Sequence, residues 1–354
     1  MGERIERHLA PESVVEAGLL EPPDDPYPPS LTIGLEKVET LRYGENPHQA
    51  AARYRRPGST AADGPFATGA PPLQGKTLSY NNVLDVSAAA AIGRALRGPA
   101  CVIVKHTNPC GAAERPTLVD AWTAALEADP ISAFGGVVAV TRPVDRALAE
   151  HLISIFLEVV VAPGFEPAAL ELLATKPNLR LVVDPVLADD DLGPAPDPSG
   201  SIRSAGGAVL VTAPDTTADE PATWTVATRR PPTDDELLDL DLAWRLVRGV
   251  TSNAIVLVRD RRLIGMGSGQ TSRVDAARGA LAQAQAHAGP DALAGAACAS
   301  DAFYPFADAV EVCLEAGVSA FAQPGGSVRD AEVVAVADAA GAAMVKTGIR
   351  HFRH

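Results

Sequence analysis

Short, continuously apolar β-rich runs alternate with helical stretches along this chain, on both sides of a break rich in Asp, Pro and Gly. Cys101-Val102-Ile103-Val104, Gly136 to Val140 and Glu158 to Ala162 are such runs before the break. A strand solvated on one face alternates apolar with polar residues, whereas a strand covered on both faces is apolar throughout. Before the first run, Val83 to Leu96 is dominated by small residues, and between the first two Thr117 to Ala128 has helical spacing. The break spans Leu187 to Gly200. After it come a strand from Ala208 to Thr212 and a helix from Asp234 to Val250, with Leu237, Leu240, Trp244 and Val247 on one face. A hairpin follows, Asn253 to Arg259 and Leu263 to Met266, joined through Asp260-Arg261-Arg262. Helices over Val274 to His287, Asp308 to Ala316 and Asp330 to Ala340 then alternate with strands over Val318 to Gln323 and Ala342 to Thr347.

This pattern predicts an α/β protein with covered sheets, organised as two similar subdomains over residues 31–195 and 196–354. No convincing internal sequence repeat marks a duplication, so only a structure would reveal one. Residues 1–30 end in a run dense in proline, which blocks both helix and sheet pairing, and are expected to form an arm with a short helix near Pro11 to Leu20.

Composition removes several classes of function. The formal net charge of −14 argues against a nucleic-acid surface, which needs a basic face, yet leaves room for a local basic pocket holding an anionic small molecule. The four cysteines form no Cys-x-x-Cys pair, so zinc spacing is absent and free thiols in a cytosolic protein are expected. No apolar run is long enough to span a bilayer, and Met1 to Ala10 lacks a secretory apolar core. A cytoplasmic protein is expected.

Chemistry concentrates in a few segments. Lys105-His106-Thr107-Asn108-Pro109-Cys110-Gly111 follows a buried strand, and it sets a cation beside a near-neutral base. An isolated Lys-His pair is more often a solvated loop, but the four further polar or turn-forming residues here favour a functional one. Leu41-Arg42-Tyr43-Gly44-Glu45-Asn46-Pro47-His48-Gln49 offers an Arg able to fork onto a phosphate, although a polar turn has the same composition. Gly265-Met266-Gly267-Ser268-Gly269-Gln270-Thr271-Ser272-Arg273 reads as a glycine-rich loop entering a helix, an anion cradle or simply a tight connection. Pro324-Gly325-Gly326-Ser327 carries the same two readings. The tail Arg350-His351-Phe352-Arg353-His354 is basic and aromatic.

These segments, together with Gly75 to Asp85, Asp129 to Gly136, Ser252-Asn253-Ala254-Ile255 and Ser300 to Phe306, occur in the order found in one family. From about Leu31 to its last residue, the chain resembles the transformylase half of the bifunctional AICAR transformylase/IMP cyclohydrolase family. The resemblance implies two cytidine-deaminase-like α/β/α subdomains in tandem, without zinc. It implies formyl transfer from 10-formyltetrahydrofolate to the 5-amino group of AICAR, giving FAICAR. It also implies a homodimer with shared active sites, and it leaves a structural potassium ion as a further expectation. The cyclohydrolase domain has no counterpart in the sequence, so ring closure to IMP is expected to need a separate cyclohydrolase. Thr251 and Ala307 stand where the family often has basic residues.

By the same resemblance, Lys105 and His106 fall on the catalytic pair, and Asn253 on the residue holding the carboxamide. Arg273 and Phe303 line the site. Arg42, Tyr43 and Arg350 fall on nucleotide-binding positions, with the arginines toward the phosphate, and Asn82 lies near the cleft. The chemistry suits these residues. The amine is a weak nucleophile and needs a base, for which His106 is the candidate, while the departing N10 needs a proton, for which Lys105 is the candidate. A specialised paralogue formylating another amine, or a non-catalytic module keeping the fold, are the other readings.

Overall fold

The structure is a computed structural model, describing residues 27–188, 200–217 and 220–354. The expected helix near Pro11 to Leu20, most of the arm and the centre of the break lie outside these residues. A small antiparallel ribbon comes first, β1 (Glu36–Thr40) paired with β2 (Ala52–Arg55). Then follow α1 (Tyr80–Arg94), β3 (Ala100–Lys105), β4 (Asn108–Glu114), α2 (Leu118–Ala128), β5 (Gly136–Val140), α3 (Arg146–Leu152), β6 (Leu157–Ala162), α4 (Pro167–Leu173) and β7 (Arg180–Val183). A separate hairpin, β8 (Ser201–Ala205) with β9 (Ala208–Thr212), and a short strand β10 (Thr225–Val226) lead to the second half. It comprises α5 (Asp234–Val247), β11 (Ile255–Arg259), β12 (Arg262–Gly267), α6 (Arg273–His287), β13 (Ala297–Ser300), α7 (Asp308–Glu315), β14 (Ala320–Gln323), α8 (Asp330–Ala339) and β15 (Ala343–Lys346).

Eleven strands form one sheet in the order β10-β15-β14-β13-β11-β12-β4-β3-β5-β6-β7. The two halves mirror each other. In the first, the β3–β4 hairpin is followed by β5 antiparallel to β3, with β6 and β7 added in parallel. In the second, the β11–β12 hairpin is followed by β13 antiparallel to β11, with β14 and β15 added in parallel. Antiparallel pairing of β4 with β12 at Ala113 and Arg262 joins them. The duplication invisible in sequence is therefore explicit in strand order.

Period-2 alternation sends each strand's side chains to two cores. Val102 and Val104 pack with α1, and Val256 and Val258 with α5, in one cluster shared by both halves. Cys101 and Ile103 face the opposite way, under α2, α3 and α4. Ile255 and Leu257 face α6, α7 and α8 in a third cluster. Two buried ion networks brace the shared layer. Arg94 meets Asp184 at 2.9 Å, and Arg245 meets both Glu114 at 2.7 Å and Asp241 at 2.9 Å. Removing one partner of such a pair would strand a buried charge.

Two sequence expectations change. Residues 105–111 are not a loop: only His106 and Thr107 form a turn, and Asn108–Glu114 is strand β4. Asn, Pro and Gly at the start of that strand hide it, because none has high β-propensity. The expected strand from Ala208 to Thr212 exists but belongs to the isolated β8–β9 hairpin, where Val209 and Leu210 are exposed.

Candidate active site

Lys105 ends β3, and His106 and Thr107 connect it to β4. Both turn residues are left-handed, with φ of 51° and 63°. A two-residue hairpin turn of this hand matches the twist of the strands, but it usually recruits Gly or Asn. Left-handed non-glycine residues cost about 1–3 kcal/mol each and persist where surrounding structure holds them. Here Asp85 Oδ1, on α1, accepts the Thr107 amide at 2.7 Å. On the opposite side, Arg353 Nη1 donates to the Thr107 carbonyl at 2.8 Å and to the Gly249 carbonyl. Burial pushes the Asp85 carboxyl above its ordinary value, against the Thr107 amide and the nearby His106 and Lys105, which hold it down. Burial likewise lowers the Arg353 guanidinium from its ordinary value.

The Lys105 Nζ donates to the carbonyls of Phe134 at 2.8 Å and Gly135 at 3.2 Å. An ammonium has three donors, so one direction remains for another acceptor. The His106 side chain is exposed at the turn.

The second half meets this turn at the start of β11. The Thr251 amide donates to Asn108 Oδ1 at 2.9 Å, placing Thr251 beside the turn. Two residues on, Asn253 Nδ2 donates to the Gln270 carbonyl at 2.9 Å, and its Oδ1 accepts from Arg273 Nη2 at 2.8 Å. Arg273 is buried. Its other nitrogen reaches Asp301 Oδ1 at 2.5 Å and Ser300 Oγ at 2.7 Å. Asp301 is fully buried, and its second oxygen accepts from Ser252 Oγ at 2.5 Å. Ser252 in turn accepts from the Arg353 amide at 3.2 Å. Arg273 thus lies behind Asn253, orienting its amide. Phe303 follows Asp301 by two residues and is exposed.

The remaining expected residues fall into different settings. Arg42 lies over its neighbour Tyr43, donating to the phenol oxygen at 2.9 Å. Their loop docks on the start of α1, through the Tyr80 amide to the Tyr43 carbonyl at 3.2 Å. Asp85 follows about 8 Å further along the same helix. Arg350 is exposed, its guanidinium 4.4 Å from the centre of the Phe352 ring. Asn82 is buried, and its amide oxygen accepts the Ser79 amide at 3.1 Å, closing the capping box of α1. That bond commits the Asn82 oxygen to the helix start.

The glycine-rich stretches change meaning. Gly265 and Gly267 lie within β12, where an added Cβ would come 2.1 Å from the Ala280 carbonyl and 1.9 Å from the Ala276 carbonyl. Their smallness lets α6 press against the strand rather than opening a cradle. Gly111 does the same in β4 against Ala125. After β14, the amides of Gly326 and Ser327 are already taken by Asp330, at 3.0 and 3.2 Å.

Sequence reasoning missed Asp85, Ser252, Asp301 and Arg353. All four belong to segments that carry the resemblance, but only the folded contacts give them roles. A cavity of about 230 Å³ lies elsewhere, at the β11–β12 turn, lined by Asp235, Glu236, Asp239 and Asp260 with Arg259. Its acidic wall suits no phosphate. Among the described residues, no group of three or more His, Cys, Asp or Glu side chains converges to hold a metal.

Comparison with known proteins decides the family. The family model described as the AICARFT/IMPCHase bienzyme matches residues 7–283. The chain belongs to the AICARFT/IMPCHase family. It is 49% identical over 329 residues to a protein of Sorangium cellulosum named bifunctional purine biosynthesis protein PurH, covering 93% of this chain and 61% of that relative. A protein of the same name from Bacillus thuringiensis is 43% identical over 352 residues, covering 99% of this chain and 66% of the relative. The chain thus spans less than two thirds of the length of these AICARFT/IMPCHase relatives. Among the described residues, no helix is long and apolar enough to cross a membrane.

Proposed function

We propose that this chain is a folate-dependent formyltransferase of purine biosynthesis, moving the formyl group of 10-formyltetrahydrofolate onto the 5-amino group of AICAR. The observation that carries the reading is the junction at Asn108. There the β3–β4 hairpin of one half, carrying Lys105 and His106, and the Thr251–Asn253 segment of the other are tied by a 2.9 Å hydrogen bond. A general base, an acid and an amide donor then share one locality, which is the requirement of acyl transfer between two amines. Membership of the family and the PurH name of its relatives support the same assignment.

In this reading, His106 takes a proton from the AICAR 5-amino group as its nitrogen attacks the formyl carbon. The carbonyl electron pair moves onto oxygen, and Asn253 or the Lys105 ammonium stabilises that charge. Collapse re-forms the carbonyl and breaks the bond to N10, which takes a proton from Lys105. FAICAR and tetrahydrofolate leave, and solvent returns the proton from His106 to Lys105. Arg42 and Arg350 hold the phosphate, Tyr43 and Phe303 flank the bases, and Arg273 orients Asn253. The two halves correspond to tandem cytidine-deaminase-like subdomains near residues 31–195 and 196–354, working as a cytoplasmic homodimer with shared sites. Ring closure to IMP is not part of the chemistry proposed for these residues.

The test is an assay of the purified 354-residue chain with AICAR and 10-formyltetrahydrofolate. Tetrahydrofolate and FAICAR should appear in equal amounts, with no IMP. Absence of turnover with AICAR, with turnover of another amine, would replace the substrate and keep the reaction class.

A further inference from the structure

The two halves of the sheet each contain a two-residue turn of left-handed residues. In the first half these are His106 and Thr107, and in the second Asp260 and Arg261, with φ of 50° and 51°. Both turns are gripped in the same way. Asp85 is the sixth residue of α1 and accepts the Thr107 amide at 2.7 Å. Asp239 is the sixth residue of α5 and accepts the Asp260 and Arg261 amides at 2.9 and 2.6 Å. On the carbonyl side, Arg353 Nη1 holds Thr107 at 2.8 Å, while Arg115 Nη1 holds Asp260 at 2.7 Å and Arg261 at 3.2 Å. The duplicated fold therefore uses an acid on the amides and an arginine on the carbonyls to hold a backbone shape that these residues adopt reluctantly.

Only the first turn carries an acid–base pair. Its arginine also differs from Arg115 in what else it touches. The Arg353 backbone exchanges two hydrogen bonds with Ser252, the neighbour of Asn253, at 2.9 and 3.2 Å. One residue thus links the carbonyl beside His106 to the segment carrying Asn253.

We propose that Asp85 and Arg353 are positioning residues, a clamp that sets the His106 ring for proton transfer without touching substrate. The kinetic arm of this inference rests on the formyl-transfer reading. The second turn supplies a built-in control, because Asp239 performs the same structural task where no chemistry is expected.

The experiment compares Asp85→Ala, Asp85→Asn, Arg353→Ala and Asp239→Ala in the full chain. Thermal stability, steady-state kinetics with AICAR, and the His106 ring signals in NMR are measured on each. Misplacing a reacting group by about 1 Å costs on the order of 10²-fold, so Asp85→Ala and Arg353→Ala should lower kcat by about that factor. The KM for AICAR should stay within about threefold, a small effect on a scale where tenfold is 1.36 kcal/mol. Asp85→Asn keeps an oxygen acceptor for the Thr107 amide and should recover most of kcat. Asp239→Ala should lose stability comparably while leaving kcat and the His106 signals unchanged. If Asp85→Ala and Asp239→Ala lose stability alike and neither moves kcat or the His106 signals, the clamp is only structural and the proposal is overturned. If the wild-type chain does not turn over AICAR, the functional reading fails. The His106 signals then decide the clamp alone, by shifting in Asp85→Ala and Arg353→Ala but not in Asp239→Ala.

Discussion

Arg353 Nη1 donates to the Thr107 carbonyl at 2.8 Å, joining residues 246 positions apart in sequence. That bond fastens the C-terminal tail to the turn displaying His106. It makes the candidate site a product of three separate regions: the β3–β4 hairpin, the segment leading into β11 and the last residues of the chain.

His106→Ala and Lys105→Ala should each lower kcat by about 10²- to 10⁴-fold, the usual contribution of a positioned acid or base. Nucleotide binding, followed by calorimetry, should remain. A variant of either residue that keeps kcat within about threefold of wild type would remove it from the chemical step, since tenfold corresponds to 1.36 kcal/mol.

Arg350 is exposed, its guanidinium 4.4 Å from the centre of the Phe352 ring. A guanidinium grips phosphate with two parallel hydrogen bonds. Arg350→Ala should therefore raise the KM for AICAR sharply and that for the dephosphorylated riboside much less. Equal effects on both substrates would show that the residue acts on the tail rather than on phosphate.

Gly111 and Gly265 are each the fourth residue of their strand, and each faces the eighth residue of the following helix. A Cβ would come within 2.0 Å of the Ala125 carbonyl at Gly111 and 2.1 Å of the Ala280 carbonyl at Gly265. Gly111→Ala and Gly265→Ala should each destabilise by at least the usual overpacking cost of about 1–3 kcal/mol. Gly34, with nothing within 4 Å of an added Cβ, should tolerate Ala within about 0.5 kcal/mol. Urea unfolding of the three variants makes the comparison.

Burial pushes the Glu236 carboxyl up, but the Arg230 guanidinium, the Ser319 hydroxyl and the Thr233 amide outweigh it and hold it at about 2, against an ordinary 4.5. The unfolded chain therefore takes up a proton at higher pH than the native one. The contribution of this group is complete above pH 4.5 and disappears as pH falls toward 2. Glu236→Gln should flatten the loss of stability across that window while leaving its slope near neutrality unchanged. Chemical denaturation at a series of pH values measures it. An unchanged acid slope would mean that Glu236 is not anchored by Arg230.

The sequence by itself determined which strands are covered on both faces. Val102, Ile103, Val137, Val138 and their counterparts after residue 250 must leave water on both sides, and continuous apolar runs record that requirement directly. It also pointed to the residue types of the candidate site, because Lys105, His106 and Asn253 stand in segments whose order marks the family. Tertiary structure decided the rest. It turned Asn108–Glu114 into a strand, since pairing with β3 overrides the weak preferences of Asn, Pro and Gly. It made Gly265 and Gly267 packing residues rather than an anion cradle, because only the folded chain brings the α6 carbonyls to within 2.1 Å of where a side chain would begin. It gave Arg353 and Asp85 their grip on Thr107, and it revealed the duplication in strand order and in the twin clamps. Local pattern reports how a residue meets solvent. Which distant carbonyl, amide or carboxylate it meets depends on long-range geometry that no window of sequence contains.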